Sequence, residues 1–400
     1  MLRLLFFIIT LFFFPRLTPG ALFLMLIPLN KVEIAAYKSF SVKSYSWFQL
    51  STTLFFMAYA FGMIYTENTE AGLRSLELKL SFLLLPLALP LIISNRKMFV
   101  FRTLRALSLV AFVFCLIYIL AVLLSFGSNI SDSSVFAKFK NPFLHPSYLA
   151  VYLMVIFNFE AYFTIGHWQY IMDKKLKRFQ IILLSVLMIT TVLTQAKIGL
   201  LVILFSIIGQ GVYLAYSTKA YIKVFSLGVV LFSILASSIY FSPLKLRLEQ
   251  MYEELTTELR GPKAYMMSTR LRLEAQRCTK VLIKENYWTG VGTGDIRDQL
   301  NAKYVELGLT ALIKKKLDSH EQFLQTRATV GWLGLIALIG MFLSVFYIGI
   351  RKRNVPLLWI GVCFFLFALT ESMFERQAGV IFFAFMTTLV IILPKQKRVL

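Results

Sequence analysis

At the end of a long polar stretch, Asp318-Ser319-His320-Glu321 brings a histidine to the start of a new apolar run. Imidazole is the side chain that exchanges a proton near neutral pH, so His320 is the natural candidate for acid–base work. Upstream in the same stretch stand Arg270, Arg272, Arg277 and Lys280, and Lys197 lies further back between two closely spaced apolar runs. Cations beside low-dielectric lipid favour anionic oxygens, phosphate above all. The set permits proton exchange next to anion binding. Each member also has an ordinary role. His320 can cap or anchor a helix beginning near Gln322. Arg272 and Arg277 can be solvated or paired with Glu274 and neighbouring acids. Lys197 must either snorkel to water or face a polar cavity.

The remaining titratable residues narrow the chemistry. His145, in Asn141-Pro142-Phe143-Leu144-His145-Pro146-Ser147-Tyr148, sits at the outer end of an apolar run where Pro146 sets the first helical turn, which makes it an interfacial neighbour of any site there. His167 falls at the other end of that run and cannot share a site with His320. His145, Asp132, Asp318 and Glu321 show no ligand spacing such as H-E-x-x-H, so no metal is expected. Glu160, inside a run, needs a hydroxyl or amide partner. Cys115 and Cys363 lie in apolar runs and Cys278 is alone in the polar stretch, so no disulfide framework forms there. Gly290-Val291-Gly292-Thr293-Gly294-Asp295 is not a dinucleotide loop, because a helix rather than a strand precedes it. Its glycines serve a conformational purpose, aiming the next helix back at the membrane.

The elements that must hold these residues are membrane helices. With 58% hydrophobic residues, 38 Phe and only 16% charged residues, the chain exposes too much apolar surface for a soluble protein. Spans of about 20 apolar residues fall near 47–65, 78–94, 104–126, 147–166, 179–194, 198–216, 221–241, 324–349, 355–370 and 377–394. The first thirty residues, interrupted by Pro15-Arg16, form one broken helix or a tight pair, and no cleaved leader is expected. The total is eleven or twelve spans. The net charge of +22 invites a nucleic-acid partner, but its basic residues occupy every second connection, among them Lys174, Lys175, Lys177, Arg178, Arg351, Lys352 and Arg353. That alternation orients a membrane protein, with these loops cytoplasmic and the intervening acidic ones, Glu67, Glu70, Glu77, Asp132, Glu371 and Glu375, outside. Nucleic acid needs a clustered footprint that is missing. The chain divides into a transmembrane bundle over 1–241, an outer helical loop over 242–323 and C-terminal spans over 324–400. Within that loop the spacing predicts an amphipathic helix over 243–260, a second opening at Ser268 or Thr269, and a third from the glycine turn to about Ile313.

The order of parts resembles one family. An arginine-bearing outer helix, Gly290-Val291-Gly292-Thr293-Gly294, Ser319-His320-Glu321-Gln322-Phe323-Leu324-Gln325 and Gly331-Trp332-Leu333-Gly334-Leu335 together resemble the O-antigen ligase and O-antigen polymerase superfamily over residues 194–379. Two positions depart from its pattern: Lys197 stands where an arginine is usual, and Glu321 replaces the asparagine of a His-Asn pair. The resemblance implies an all-α polytopic glycosyltransferase of GT-C type with about twelve spans, inverting, and using neither metal nor other cofactor. The implied donor is a glycan on undecaprenyl pyrophosphate, and the acceptor a lipid A-core, glycan or other hydroxyl. The implied place is the bacterial inner membrane, among its lipids, with the active face periplasmic. On that basis His320 is the general base, and Arg270, then Lys197, then Arg272 hold the pyrophosphate. His145, Glu371 and Arg376 line the site. Ligase and polymerase share this donor chemistry and stay equally open to the motifs. Two other readings compete. A lipid-linked sugar transporter or flippase would be expected to show internal repeats, which the chain lacks; a shape-and-division glycan polymerase would centre on an outer aspartate such as Asp295, Asp298 or Asp318.

Overall fold

A computed structural model of the chain describes residues 2–27, 46–92, 96–126, 144–167, 173–218 and 268–392. The expected span 221–241 and the amphipathic helix 243–260 lie outside these residues. Everything regular among them is helical. Six helices are long and apolar enough to cross a membrane: α3 (Trp47–Gly62, prolonged by a 3₁₀ turn to Tyr65), α5 (Arg96–Phe126), α6 (Pro146–His167), α7 (Lys174–Leu193), α8 (Lys197–Thr218) and α12 (Gln322–Lys352). Three apolar helices are shorter: α1 (Leu2–Phe13), α13 (Val355–Ala368) and α14 (Gln377–Ile391). The remaining elements are α2 (Thr18–Leu26), α4 (Thr69–Ile92), α9 (Ser268–Glu285), α10 (Ile296–Glu306) and α11 (Thr310–Lys315). This is an all-α polytopic membrane protein.

Several boundaries differ from those the sequence suggests, each for a local reason. Helices α1 and α2 fold back on one another as a tight pair, with the Arg3 guanidinium donating to the Leu24 and Ile27 carbonyls. At 1.5 Å per residue they reach only about 18 and 14 Å, short of a bilayer core of about 30 Å. Helix α4 begins at Thr69, so Glu70 and Glu77 belong to it and not to a loop. The predicted third helix of the outer loop is two, α10 and α11, because Gly308 takes φ +67° between them.

The bundle packs chiefly through aromatic rings. Phe55 and Phe82 of α3 and α4 meet Phe374 and Phe383 at centroid distances of 4.8–6.2 Å. In lipid, such close packing and interhelical hydrogen bonds replace the hydrophobic drive. One of these polar links joins Asn158 of α6 to Ser206 and Gln210 of α8. Glu160 finds the hydroxyl partner it needs in Ser108 of α5. Helices α9, α10 and α11 form a lid with a small core of its own, Leu271, Ala275, Cys278, Leu282, Leu300, Tyr304 and Leu312, which closes onto Ala328 of α12. Burial there pushes the Cys278 thiol up from its ordinary value.

The glycine turn is a clasp between that lid and a kink in α12. Val330 and Gly331 leave helical geometry inside the helix, which frees nearby backbone groups for other partners. The Val291 and Gly292 amides donate to the Ala328 and Thr329 carbonyls at 2.8 and 2.9 Å, and the Trp332 amide donates to Trp288 at 3.1 Å. Gly331 takes φ +65° with ψ −150°, a region reserved for glycine. A Cβ there would collide with the Trp288 carbonyl. Further along the turn, Thr293 donates to the Tyr59 carbonyl at 2.6 Å. Asp295 accepts from the Glu67 and Asn68 amides just ahead of α4, at 2.9 and 2.7 Å.

Candidate active site

His320 enters the site from a strained turn. Its φ of +47° is left-handed, a conformation uncommon for residues with a Cβ. The turn is held by Asp318, whose carboxylate accepts the His320 amide at 2.9 Å, and by the Ser319 hydroxyl donating to the Glu321 carbonyl at 2.8 Å. Glu321 itself caps α12, accepting from the Phe323 and Leu324 amides at 2.8 and 2.7 Å. The helix cap is thus Glu321, and the His320 ring is left for other work. The same observation accounts for the His-Glu pair, since asparagine and a carboxylate both serve as N-cap acceptors.

The ring is gripped by an acid from a distant part of the chain. Glu371, in the turn between α13 and α14, meets His320 Nδ1 through Oε2 at 2.9 Å and receives Arg272 Nη2 on Oε1 at 2.7 Å. Arg272, expected to be solvated or paired with Glu274, therefore reaches across to the bundle. Burial alone would raise the Glu371 carboxyl, but the His320 hydrogen bond and the Arg272 charge outweigh it and hold the group below its ordinary value. Among the described residues, no group of three or more His, Cys, Asp or Glu is arranged to hold a metal.

The turn that carries Glu371 is itself clamped. Ser372 Oγ lies 3.2 Å from Ser319 Oγ, the Phe374 amide donates to Gln322 at 2.7 Å and the Tyr148 hydroxyl donates to the Met373 carbonyl at 3.3 Å. Glu375 pairs with the fully buried Lys79 at 3.1 Å and accepts from the Tyr59 hydroxyl at 3.3 Å. Lys79 escaped the sequence analysis, although an ionisable residue at the edge of a span was the signal for it.

The other expected residues lie around this centre. Lys197 Nζ donates to Thr269 Oγ1 at 2.6 Å, tying the first residue of α8 to the first turn of α9. Arg270, one residue on, has Nε 3.3 Å from Glu274, which also receives Arg277 at 2.8 Å. His145 precedes α6 at the rim, and Arg376 is exposed at the start of α14. The His145 imidazole is held below its ordinary value by the protein packed around it and by the charges of Arg376, Arg272 and His320, against the pull of Glu371. His145, Glu371, Arg272 and His320 are thus within electrostatic reach of one another. Asp295 is spent on backbone amides and Asp298 accepts from Asn68 at 2.8 Å, which leaves little of an aspartate-centred site.

A search of curated proteins finds no match to the chain. Residues 181–339, about two fifths of its length, match the family described as O-Antigen ligase. The matched stretch includes Lys197, Arg270, Arg272, the glycine clasp and His320. The family is one of glycosyltransferase-like enzymes that act on lipid-linked glycans. Over residues 181–339 the chain is similar to that family, a likeness that supports the O-antigen ligase and O-antigen polymerase superfamily.

Proposed function

We propose that the protein transfers a glycan from undecaprenyl pyrophosphate to an acceptor hydroxyl at the outer leaflet of the bacterial inner membrane. The observation that carries this reading is the chain of contacts from Arg272 through Glu371 to His320. With Glu371 ionised, Nδ1 carries the ring proton and donates it to the carboxylate, and Nε2 keeps a lone pair for the acceptor. In the transfer the acceptor oxygen attacks the anomeric carbon from the face opposite the pyrophosphate. Its proton passes to Nε2, the bond to the pyrophosphate oxygen breaks and configuration inverts. The Asp318 carboxylate, 3.9 Å from Nε2, stabilises the imidazolium formed.

Negative charge growing on the leaving pyrophosphate is met by cations at the start of α9. Arg272 ranks first in this account, because it is both near His320 and oriented by Glu371; Arg270 and Lys197 follow. Glu371 commits both oxygens to Arg272 and His320, which favours a reaction that uses no metal. The acceptor decides between ligase and polymerase, and ligation to a lipid A-core is our preferred reading. Replacing His320 or Arg272 by Ala is expected to abolish surface glycan in cells at normal protein level. Long polymer accumulating on the carrier supports the ligase, and single repeats the polymerase. Unchanged surface glycan in both variants overturns the proposal.

A further inference from the structure

Arg327 of α12 is a buried cation that the transfer chemistry leaves unused. It is only 6% exposed, and among the described residues no acid lies within ion-pairing distance of it. Its guanidinium is stacked 3.8 Å from the centre of the Trp332 ring and 4.9 Å from that of Tyr287. Nη1 is buried without a hydrogen-bond partner. Two aromatic faces attract a cation but accept none of its in-plane N–H groups. A charge taken from water in this way needs an anion.

The surroundings indicate which anion. Trp288 is 72% exposed and Tyr287 49%, and Tyr287 meets both Trp288 and Trp332 edge-on at 5.1 and 6.2 Å, an aromatic cluster of the kind found at headgroup level. Next to it opens an apolar groove of about 880 Å³ between α3 and α12, lined by Trp47, Leu54, Phe61, Leu333, Gly340 and Tyr347 among others. The two features meet. Leu333 follows Trp332 directly, the Phe61 ring lies 6.2 Å from Tyr65, and the Tyr65 hydroxyl donates to the Thr289 carbonyl at 2.7 Å. A cation at headgroup level above an apolar groove matches an amphiphile with one negative charge.

We infer that Arg327 and the α3/α12 groove bind an anionic phospholipid, the phosphodiester on the guanidinium and the acyl chains between the helices. One cation suits a monoanionic phosphodiester better than a pyrophosphate, which would want several. The inference therefore does not use the donor at His320 and stands whether or not the transfer reading holds.

The test is native mass spectrometry of the purified full-length protein with phosphatidylglycerol and phosphatidylcholine of identical chains. Phosphatidylglycerol is expected to bind about five- to tenfold tighter, as one cation near a headgroup allows. Arg327→Gln should erase that preference, and His320→Ala should leave it intact. Gly340→Phe supplies an independent variant, since a Cβ there meets only Ser51 at 4.0 Å and the ring must enter the groove; it should weaken both lipids. Equal binding of the two lipids by the wild type, or a preference that survives Arg327→Gln, overturns the inference. So does competition by glycerol phosphate as strong as by whole lipid, which would mark a free-phosphate site. Displacement by equimolar undecaprenyl phosphate would assign the groove to the donor and overturn it too.

Discussion

His320, Glu371 and Arg272 are joined by direct contacts, and if the proposed transfer holds, substitutions should show them acting as one unit. Losing the base or its orienting acid is expected to slow transfer by about 10²- to 10⁴-fold, and the double variant His320→Ala/Glu371→Gln should be little worse than either single one. Arg272→Lys keeps the charge but not the planar fork; a fall of roughly tenfold in transfer rate is expected, against a larger loss for Arg272→Ala. The pH response follows from Glu371. Its folded pKa lies below the ordinary value of 4.5, so the order it contributes is fully present above that value. It is lost as pH falls through the lower, folded one. Acid loss of the folded state, followed by tryptophan fluorescence, should therefore shift less with pH below 4.5 in Glu371→Gln than in the wild type. The histidine and arginines were legible from residue type and position. Their grouping was not, because Glu371 is 51 residues from His320 and 99 from Arg272, and no local spacing encodes such contacts.

Among the elements, the kink of α12 is what receives the glycine clasp, while Ser319 and Gln322 hold the 371–376 turn. Gly331 in a glycine-only conformation, with its amide-bearing neighbour Trp332 bonded to Trp288, cannot be replaced without moving the lid. Gly331→Ala should cost about 1–3 kcal/mol for the backbone alone and more from the collision, read as a lower melting temperature and faster proteolysis of the lid. Glu321→Asn keeps the cap and should be close to neutral, whereas Glu321→Ala should cost about 0.5–2 kcal/mol. Helix positions could be read from runs of apolar residues, and α9 begins at Ser268 as its pattern suggests. The clasp could not be read in full: three glycines announced a tight turn, but the kinked helix that receives it looks like an unbroken apolar run. Glu70 and Glu77 misled in the same way, because charge marks the level of the membrane surface and not the end of α4.

At the scale of the molecule, the His320 cluster and the cationic ends of α7 and α12 lie at opposite ends of the bundle, as the 31-residue length of α12 requires. If the basic end faces the cytoplasm, a cysteine replacing exposed Trp288 should react with a membrane-impermeant thiol reagent in intact spheroplasts, and one replacing Arg353 should react only after lysis. The class of protein was legible from composition, and the family from the order of short motifs. What neither could supply is the contact by which the lid's Arg272 and the His320 turn meet at Glu371. The most direct test of the proposed site is transfer by the purified protein from a lipid-linked glycan to its acceptor, without nucleotide and with chelator present. Wild-type protein should transfer, and His320→Ala should lose at least a hundredfold while still binding the donor. Transfer by His320→Ala at the wild-type rate would contradict the account.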